Sequence, residues 1–400
     1  MKFTHTLMFF TLATLLSLTN TTLAGDEVRP RARDLGLHVG ILSTGKFNAI
    51  TDVKGVRVGH HTVEKGSDIR TGVTAIIPSD HNMYLNPIPA WIHVGNGYGK
   101  SIGETQVREF GEIETPIILT CTLCVWVAAD ALKDWLLAKP GEGQHTVNPI
   151  VGETNDSRLN NMWSKDTIKK EYVVAALENA KGGAVEEGSV GAGHGTQAFS
   201  WKGGIGTSSR VLPELMGGYT VGVLVQTNFD GELTMNGAPV GRELNEYEFK
   251  KQLEEARAGK LPSDGGSVMI VVATDAPILS RNLDRMAKRA IMGLARTGSI
   301  AHNSSGDYVI VFSTNEKVRR DRSSTKPVPS ETLTNAAMSP LFQATIEATQ
   351  EAIYNAILKA TTVVSSRGTI KAIDVQKVES ILNKYKVNNF DETLPPAKGR

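Results

Sequence analysis

Cysteine is scarce in this sequence, and the two thiols in 400 residues cannot build a disulfide scaffold or a four-cysteine zinc site. Neither charge sign is in excess. With 43 Lys+Arg against 42 Asp+Glu, the net charge of +1 argues against a nucleic-acid binder that works through a basic face. Past the N-terminus no apolar run approaches the ~20 residues needed to span a bilayer. Motifs of several common enzyme classes are missing too. There is no His-Glu-x-x-His, and the nine histidines are scattered. His60 and His61 are adjacent, so on a strand they face opposite sides and cannot easily share a metal. No Gly-x-Ser-x-Gly elbow surrounds a serine. His93 and His194 have no obvious acidic partner nearby that would complete a Ser-His-Asp triad. Gly95-Asn-Gly-Tyr-Gly-Lys-Ser101 looks like a phosphate loop, but the Walker pattern needs glycine where Val94 stands. Its glycines read instead as a tight strand-to-helix turn.

What is present suits a globular chain with a sizeable core. Hydrophobic residues are 40% and charged residues 21%, a balance that excludes a mostly disordered protein. The length allows one large domain or two ordinary ones. Glycine occurs 39 times, so many tight turns or close backbone approaches are expected. Residues 1–24 have the layout of a secretory signal: Lys2, an uncharged apolar run over 7–18, then Thr22-Leu23-Ala24 with cleavage expected after Ala24. The mature protein is therefore expected to be exported, to a periplasm if the source is a Gram-negative bacterium. Cys121 and Cys124 form a Cys-x-x-Cys pair inside the apolar run Pro116–Ala129. Burial as two small hydrophobes is favoured over a redox pair, and whether they are free or bonded stays open.

Along the chain, alternation in Ala49–Val63 and the runs at Thr71–Pro78, Trp91–Val94 and Ile117–Thr120 read as strands. Helical spacing marks Val125–Ala138 and Asp166–Ala180. Residues 182–206 are glycine-rich and read as loops, and Tyr219–Asn228 is a strong strand. Asn245–Ala258 reads as a charged helix ending at Gly259, and Leu261–Gly266 as an exposed linker. The character then changes abruptly. Ser267–Thr274 is an apolar run typical of a strand buried on both faces. A helix over Arg281–Arg296 capped by Ser280, a strand at Asp307–Ser313, and helices at Pro340–Val364 and Asp374–Tyr385 complete the pattern. Strands and helices mix without a regular βα repeat, which favours an α+β layered fold.

Chemistry concentrates at Gly266-Ser267. A serine opens a buried strand just after the Asp264-Gly265-Gly266 turn. Composition alone reads an ordinary turn-to-strand boundary. The sharper reading is a self-cleaving junction, in which the Ser267 hydroxyl attacks the Gly266 carbonyl, passes through an ester and leaves a free α-amine. Glycine on the acyl side tolerates the strained backbone this needs. The new amine would have a pKa near ~7.7–8.0 and can serve as general base for its own hydroxyl, without a catalytic histidine.

Seven segments, in order over roughly residues 30–370, resemble the self-processing aminopeptidases that include L-aminopeptidase/D-esterase (DmpA-type) and the β-peptidyl aminopeptidases. They are Ile50–His60, Thr71–Ala75, Val151–Asp156 (Val-Gly-Glu-Thr-Asn-Asp), Gly203–Arg210, Gly222–Asn228, Gly266–Pro277 and Ser304–Tyr308. The resemblance implies a four-layered α/β/β/α sandwich with an N-terminal nucleophile, autoproteolysed into two associated chains of one catalytic domain. These would be an α chain of residues 25–266 and a β chain of residues 267–400. It places the nucleophile at Ser267, supporting residues at Ser305 and Asp307, an oxyanion-hole amide at Asn228 and a carboxylate for the substrate's free ammonium at Glu153. It implies hydrolysis of small peptides, amides or esters with no metal or organic cofactor, and a tetramer of αβ units.

Bland readings stand beside these roles: Asp307 as a turn residue, Glu153 as a surface charge, Asn155 and Asp156 as Asx-turn formers. Gly266 before the serine resembles the L-aminopeptidase/D-esterase branch, but it leaves with the α chain and is a poor guide to the pocket. Loops around residues 153–163 and 230–245 are expected to wall that pocket. Two alternatives remain at this point. One is an acyltransferase of the ornithine acetyltransferase type, which uses threonine where this chain has serine. The other is an uncleaved, non-catalytic periplasmic binding protein.

Overall fold

The computed structural model describes residues 28–139, 146–255 and 266–396. The signal segment and most of the linker at Leu261–Gly266 lie outside the described residues. In chain order, β1 (Arg57–Lys65) and β2 (Ile69–Ile77) form a hairpin. They are followed by β3 (Ile88–Gly97), α1 (Glu104–Phe110), β4 (Glu112–Ile113), β5 (Ile117–Cys121), α2 (Val125–Leu137), β6 (Ile150–Thr154) and α3 (Lys170–Glu178). A small hairpin of β7 (Gln197–Ala198) and β8 (Trp201–Lys202) precedes β9 (Ile205–Val211) and β10 (Thr220–Asn228). Next come α4 (Val240–Glu243), α5 (Lys250–Glu255), β11 (Gly266–Thr274), α6 (Ser280–Ala295), β12 (Ser305–Ser313) and α7 (Ser339–Leu358). The hairpin β13 (Val363–Ser365) and β14 (Gly368–Ile370), α8 (Val375–Tyr385) and α9 (Phe390–Thr393) close the chain.

Two sheets face each other. One has four strands in the order β1-β2-β5-β6, the other six in the order β4-β3-β12-β11-β10-β9. Pairing is antiparallel except for β5 with β6 and β11 with β12. Three apolar clusters show why the chain stacks into four layers. Along β11, Val268, Ile270 and Val272 point toward α6 and α7, where they meet Leu283, Met286, Ala348 and Ile353. Met269, Val271 and Ala273 point the other way and meet Leu119 and Ile150 of the smaller sheet. The far face of that sheet packs Val73, Ile118 and Val151 against Val125, Leu132 and Val173 of α2 and α3. A strand buried on both faces thus reads as a continuous apolar run, as Ser267–Thr274 does. The result is the expected α/β/β/α sandwich.

Several expected elements are shorter. Of the helix expected over Asn245–Ala258, the described part is only α5, because Asn245 and Phe249 sit at φ 57° and 61°, outside helical space. The helix α7 ends at Leu358, and the β-branched run that follows, Thr361–Val364, turns into β13. Ser280 is the first helical residue of α6 rather than its cap: Leu279 holds the cap position and makes no side-chain cap bond. The glycine-rich tract 182–206, expected to be loop, carries β7, β8 and the first two residues of β9. Ser208, Ser209 and Arg210 of β9 are polar yet fully buried, so no apolar alternation marks that strand.

Candidate active site

The site forms where the ends of β6, β10, β11 and β12 meet. Register brings Asn228, the last residue of β10, opposite Ser267 on β11. Because residues paired across a sheet share a face, both side chains emerge toward the smaller sheet. Ser267 is buried, and its Oγ accepts from the backbone N–H of Asn155 at 3.0 Å and from Asn228 Nδ2 at 3.4 Å. The Asn228 Oδ1 accepts from Gln197 N at 3.1 Å, which turns the amide so that its N–H faces the serine. Asn155 stands just past the end of β6, and β6 comes close enough to β11 that a Cβ on Gly152 would lie 2.3 Å from Met269 Cε. Glycine at 152 is what lets the two sheets approach beside the serine.

Ser305 and Asp307 are brought to the same junction on the opposite face. Ser305 pairs with Gly266, and Asp307 with Val268, so both side chains project toward the α6/α7 layer. Ser305 Oγ donates to Asp307 Oδ1 at 2.6 Å. Burial pushes the Asp307 carboxyl up to about 6, opposed by that hydrogen bond. Asn96, at an irregularity in the pairing of β3 with β12, donates through Nδ2 to His302 O at 2.6 Å and Ser305 O at 2.7 Å, clamping the turn before Ser305. Asp307 is therefore a buried strand residue in a hydrogen-bonded pair, not a turn former.

Glu153 is not a surface charge. It is buried on β6. Its Oε1 accepts from Lys100 N at 3.0 Å, and its Oε2 accepts from Thr122 Oγ1. Burial raises its pKa, and the hydrogen bonds from Thr122 and from Lys100 N, together with the charge of the Lys100 side chain, oppose the rise. Asn155 makes the Asx turn its type suggests, accepting from Ser157 N at 3.1 Å, while its backbone N–H serves Ser267. Asp156 is buried, bonded to Asn160 Nδ2 at 2.9 Å, and pushed up to about 7 by burial.

Sequence reasoning missed four contributors: the Asn155 and Lys100 backbone N–H groups, the Asn96 amide and the Thr122 hydroxyl. Backbone donors carry no side-chain signature. Asn96 and Lys100 sit in the Gly95–Ser101 tract, where the glycines point to a turn and mask the two donors. Cys121 and Cys124 are both buried, as expected, but they are bonded to each other rather than free thiols. His93 lies 3.3 Å from Asp284 and His194 3.8 Å from Glu64, so each does have an acidic neighbour; neither is hydrogen-bonded to Ser267. Among the described residues, no cluster of three or more His, Cys, Asp or Glu side chains is placed to hold a metal.

Residues 48–371 match peptidase family S58. The chain is 38% identical over 378 residues to β-peptidyl aminopeptidase BapA of Sphingosinicella microcystinivorans, covering 89% of this chain and 93% of that one. The chain belongs to peptidase family S58. Among solved structures, a Burkholderia sp. β-aminopeptidase is 37% identical with a TM-score of 0.79, over 89% of this chain and 99% of the other. The L-aminopeptidase D-Ala-esterase/amidase of Ochrobactrum anthropi, described as a prototype of the serine aminopeptidases and a variant of the Ntn-hydrolase fold, is 32% identical. Its TM-score is 0.80, over 90% of this chain and 100% of the other. The S58 chain is thus a hydrolase, a serine aminopeptidase, and neither the acetyltransferase nor the binding-protein reading stands.

Proposed function

We propose that this aminopeptidase is exported as a precursor and cuts itself between Gly266 and Ser267. It then releases N-terminal aminoacyl groups through an acyl-Ser267 ester. The observation that carries the reading is the convergence of the Asn155 N–H and the Asn228 amide on Ser267 Oγ, at the start of a buried strand. In the self-cleavage step, Oγ adds to the Gly266 carbonyl carbon and the C–N bond breaks. The proton goes to the departing nitrogen, which becomes the Ser267 α-amine. Water then hydrolyses the ester, leaving Gly266 as a carboxylate. A Cβ at Gly266 would lie only 3.3 Å from Ser305 Oγ, so the Ser305–Asp307 pair is close to the scissile peptide. Since that pair occupies the face opposite the Ser267 hydroxyl, its chemistry is directed at the nitrogen. It orients the new amine and, with Asp307 ionised, holds positive charge there.

Turnover repeats the acyl transfer on an external substrate. The amine takes the proton from Oγ, Oγ attacks the aminoacyl carbonyl, and Asn228 and the Asn155 N–H stabilise the oxyanion. Glu153 supports the choice of substrate. A buried carboxylate is costly even with two uncharged donors and the charge of Lys100 to offset it, and a substrate ammonium relieves that cost. Peptides, amides or esters with an unblocked amino terminus fit it. The higher identity to β-peptidyl aminopeptidases favours including β-aminoacyl groups among them. Assembly of αβ units into a tetramer rests on family resemblance alone.

The test is turnover of L-alanyl, D-alanyl and β-alanyl p-nitroanilides beside their N-acetylated forms. Free amines should be hydrolysed and acetylated ones not, with Glu153→Gln raising KM for the free amines. Equal turnover of acetylated substrates would contradict the role of Glu153.

A further inference from the structure

The Cys121–Cys124 bond encloses Thr122, and Thr122 is one of the two groups that hold Glu153. Strand β5 ends at Cys121, and a single 3-10 turn, Thr122–Cys124, leads into α2. Thr120 pairs with Glu153 and Cys121 with Thr154 across the parallel β5/β6 ladder, so the turn leaves the sheet directly beside the carboxylate. The disulfide closes that turn into a ring. Thr122 and both cysteines are buried, with exposures of 6%, 1% and 4%. The ring restrains the backbone that carries the Thr122 hydroxyl, burial limits the side chain's rotation, and its one side-chain acceptor here is Glu153 Oε2. The other donor, Lys100 N, comes from the separate loop after β3 and binds the other carboxylate oxygen.

We propose that the Cys121–Cys124 disulfide fixes Thr122 as a positioning residue for Glu153. The integrity of this bond then sets affinity for the substrate's ammonium, while the chemistry at Ser267 is untouched. The proposal rests on the reading of Glu153 as the ammonium acceptor. Thr122 acts through Glu153 and touches no reacting atom. Its donated hydrogen bond favours the ionised carboxylate, the form that attracts a cation. Without it, burial acts with less opposition, and Glu153 takes up a proton at higher pH.

The experiment compares four self-cleaved proteins on β-alanyl p-nitroanilide from pH 5 to 9: wild type, Thr122→Val, Thr122→Ser and the double variant Cys121→Ala/Cys124→Ala. A hydrogen bond to a charged group supports a rise in KM of roughly 10-fold or more for Thr122→Val. The double variant should shift in the same direction, with kcat within about twofold of wild type in both. The pH below which KM rises should move upward in both, and Thr122→Ser should restore the wild-type profile. Adding Thr122→Val to the double variant should raise KM no further, because both changes remove one interaction. If the double variant does not fold, wild type treated with dithiothreitol replaces it. The dithiol gives two electrons and two protons to the sulfur pair and closes to its own cyclic disulfide, and thiol titration confirms the reduction.

An unchanged KM profile in Thr122→Val overturns the proposal. An unchanged profile after loss of the disulfide overturns its redox half. Glu153→Gln separates the levels. If it leaves KM unchanged, the ammonium reading itself fails. If it raises KM while Thr122→Val does not, only the present inference fails.

Discussion

Asn228 and Asp307 show how a single side chain is committed by its place on a strand. Asn228 ends β10, where its Oδ1 is held by Gln197 and only its N–H is left for Ser267. Asn228→Ala should lower kcat about 10²–10³-fold with KM little changed, the loss typical of one oxyanion donor, as steady-state kinetics would show. Asp307 is held protonated more tightly by the folded chain than by the unfolded one, since burial lifts its carboxyl to about 6. Its contribution to stability is therefore fully present below the unfolded pKa near 3.8 and is lost as pH rises through about 6. Asp307→Asn, made in the uncleaved Ser267→Ala background, should gain stability relative to its parent between pH 4 and pH 7. The gain is up to ~3 kcal/mol by denaturant titration. Of these residues, Ser267, Asn228 and the Ser305/Asp307 pair were legible because they sit at strand ends in recognisable segments. The Asn155 N–H was not, because a backbone donor leaves no mark on residue identity.

Among elements, β9 is tied to α7 by buried ion pairs. Arg210, fully buried on β9, donates through Nε to Glu347 at 3.1 Å and through Nη2 to Glu351 at 2.7 Å, both carboxylates being on α7. Glu351 also receives Arg33 at 2.8 Å, which ties the N-terminal segment to the same helix. Burial pushes the Glu351 carboxyl up, but Arg210 and Arg33 outweigh it and hold the group at about 2. Its stabilising contribution is thus present above the unfolded pKa near 4.5 and is lost as pH falls through about 2. Glu351→Ala should cost up to about 3–5 kcal/mol at neutral pH, because it removes the carboxylate paired with Arg33 and leaves the fully buried Arg210 with Glu347 alone. Denaturant midpoints of the uncleaved protein measure this. Here sequence reading stopped short. Polar β9 has no apolar alternation, since its inward side chains are buried by ion pairs and hydrogen bonds rather than by the hydrophobic effect. The apolar strands β10, β11 and β12 were all read close to their observed limits.

For the whole molecule, the four layers explain how a chain could be cut and still hold together. Strand β11 begins at the proposed scissile bond. It lies between β10 of the proposed α chain and β12 of the proposed β chain. A cut at Gly266-Ser267 leaves both ladders, and the apolar clusters on both faces of β11, intact. Two fragments should therefore co-purify under native conditions and separate only on denaturation. The layered class could be read from mixed elements around a doubly buried strand. The strand order could not, because hydrophobic periodicity reports burial and not neighbours. The central claim is that Ser267 is the nucleophile of its own release. Intact mass and N-terminal sequencing of denatured wild type beside Ser267→Ala test it most directly. The expected result is two wild-type fragments, one beginning at Ser267, and a single inactive chain in the variant. A single uncut chain in both proteins, or cleavage that persists without the serine hydroxyl, would contradict it.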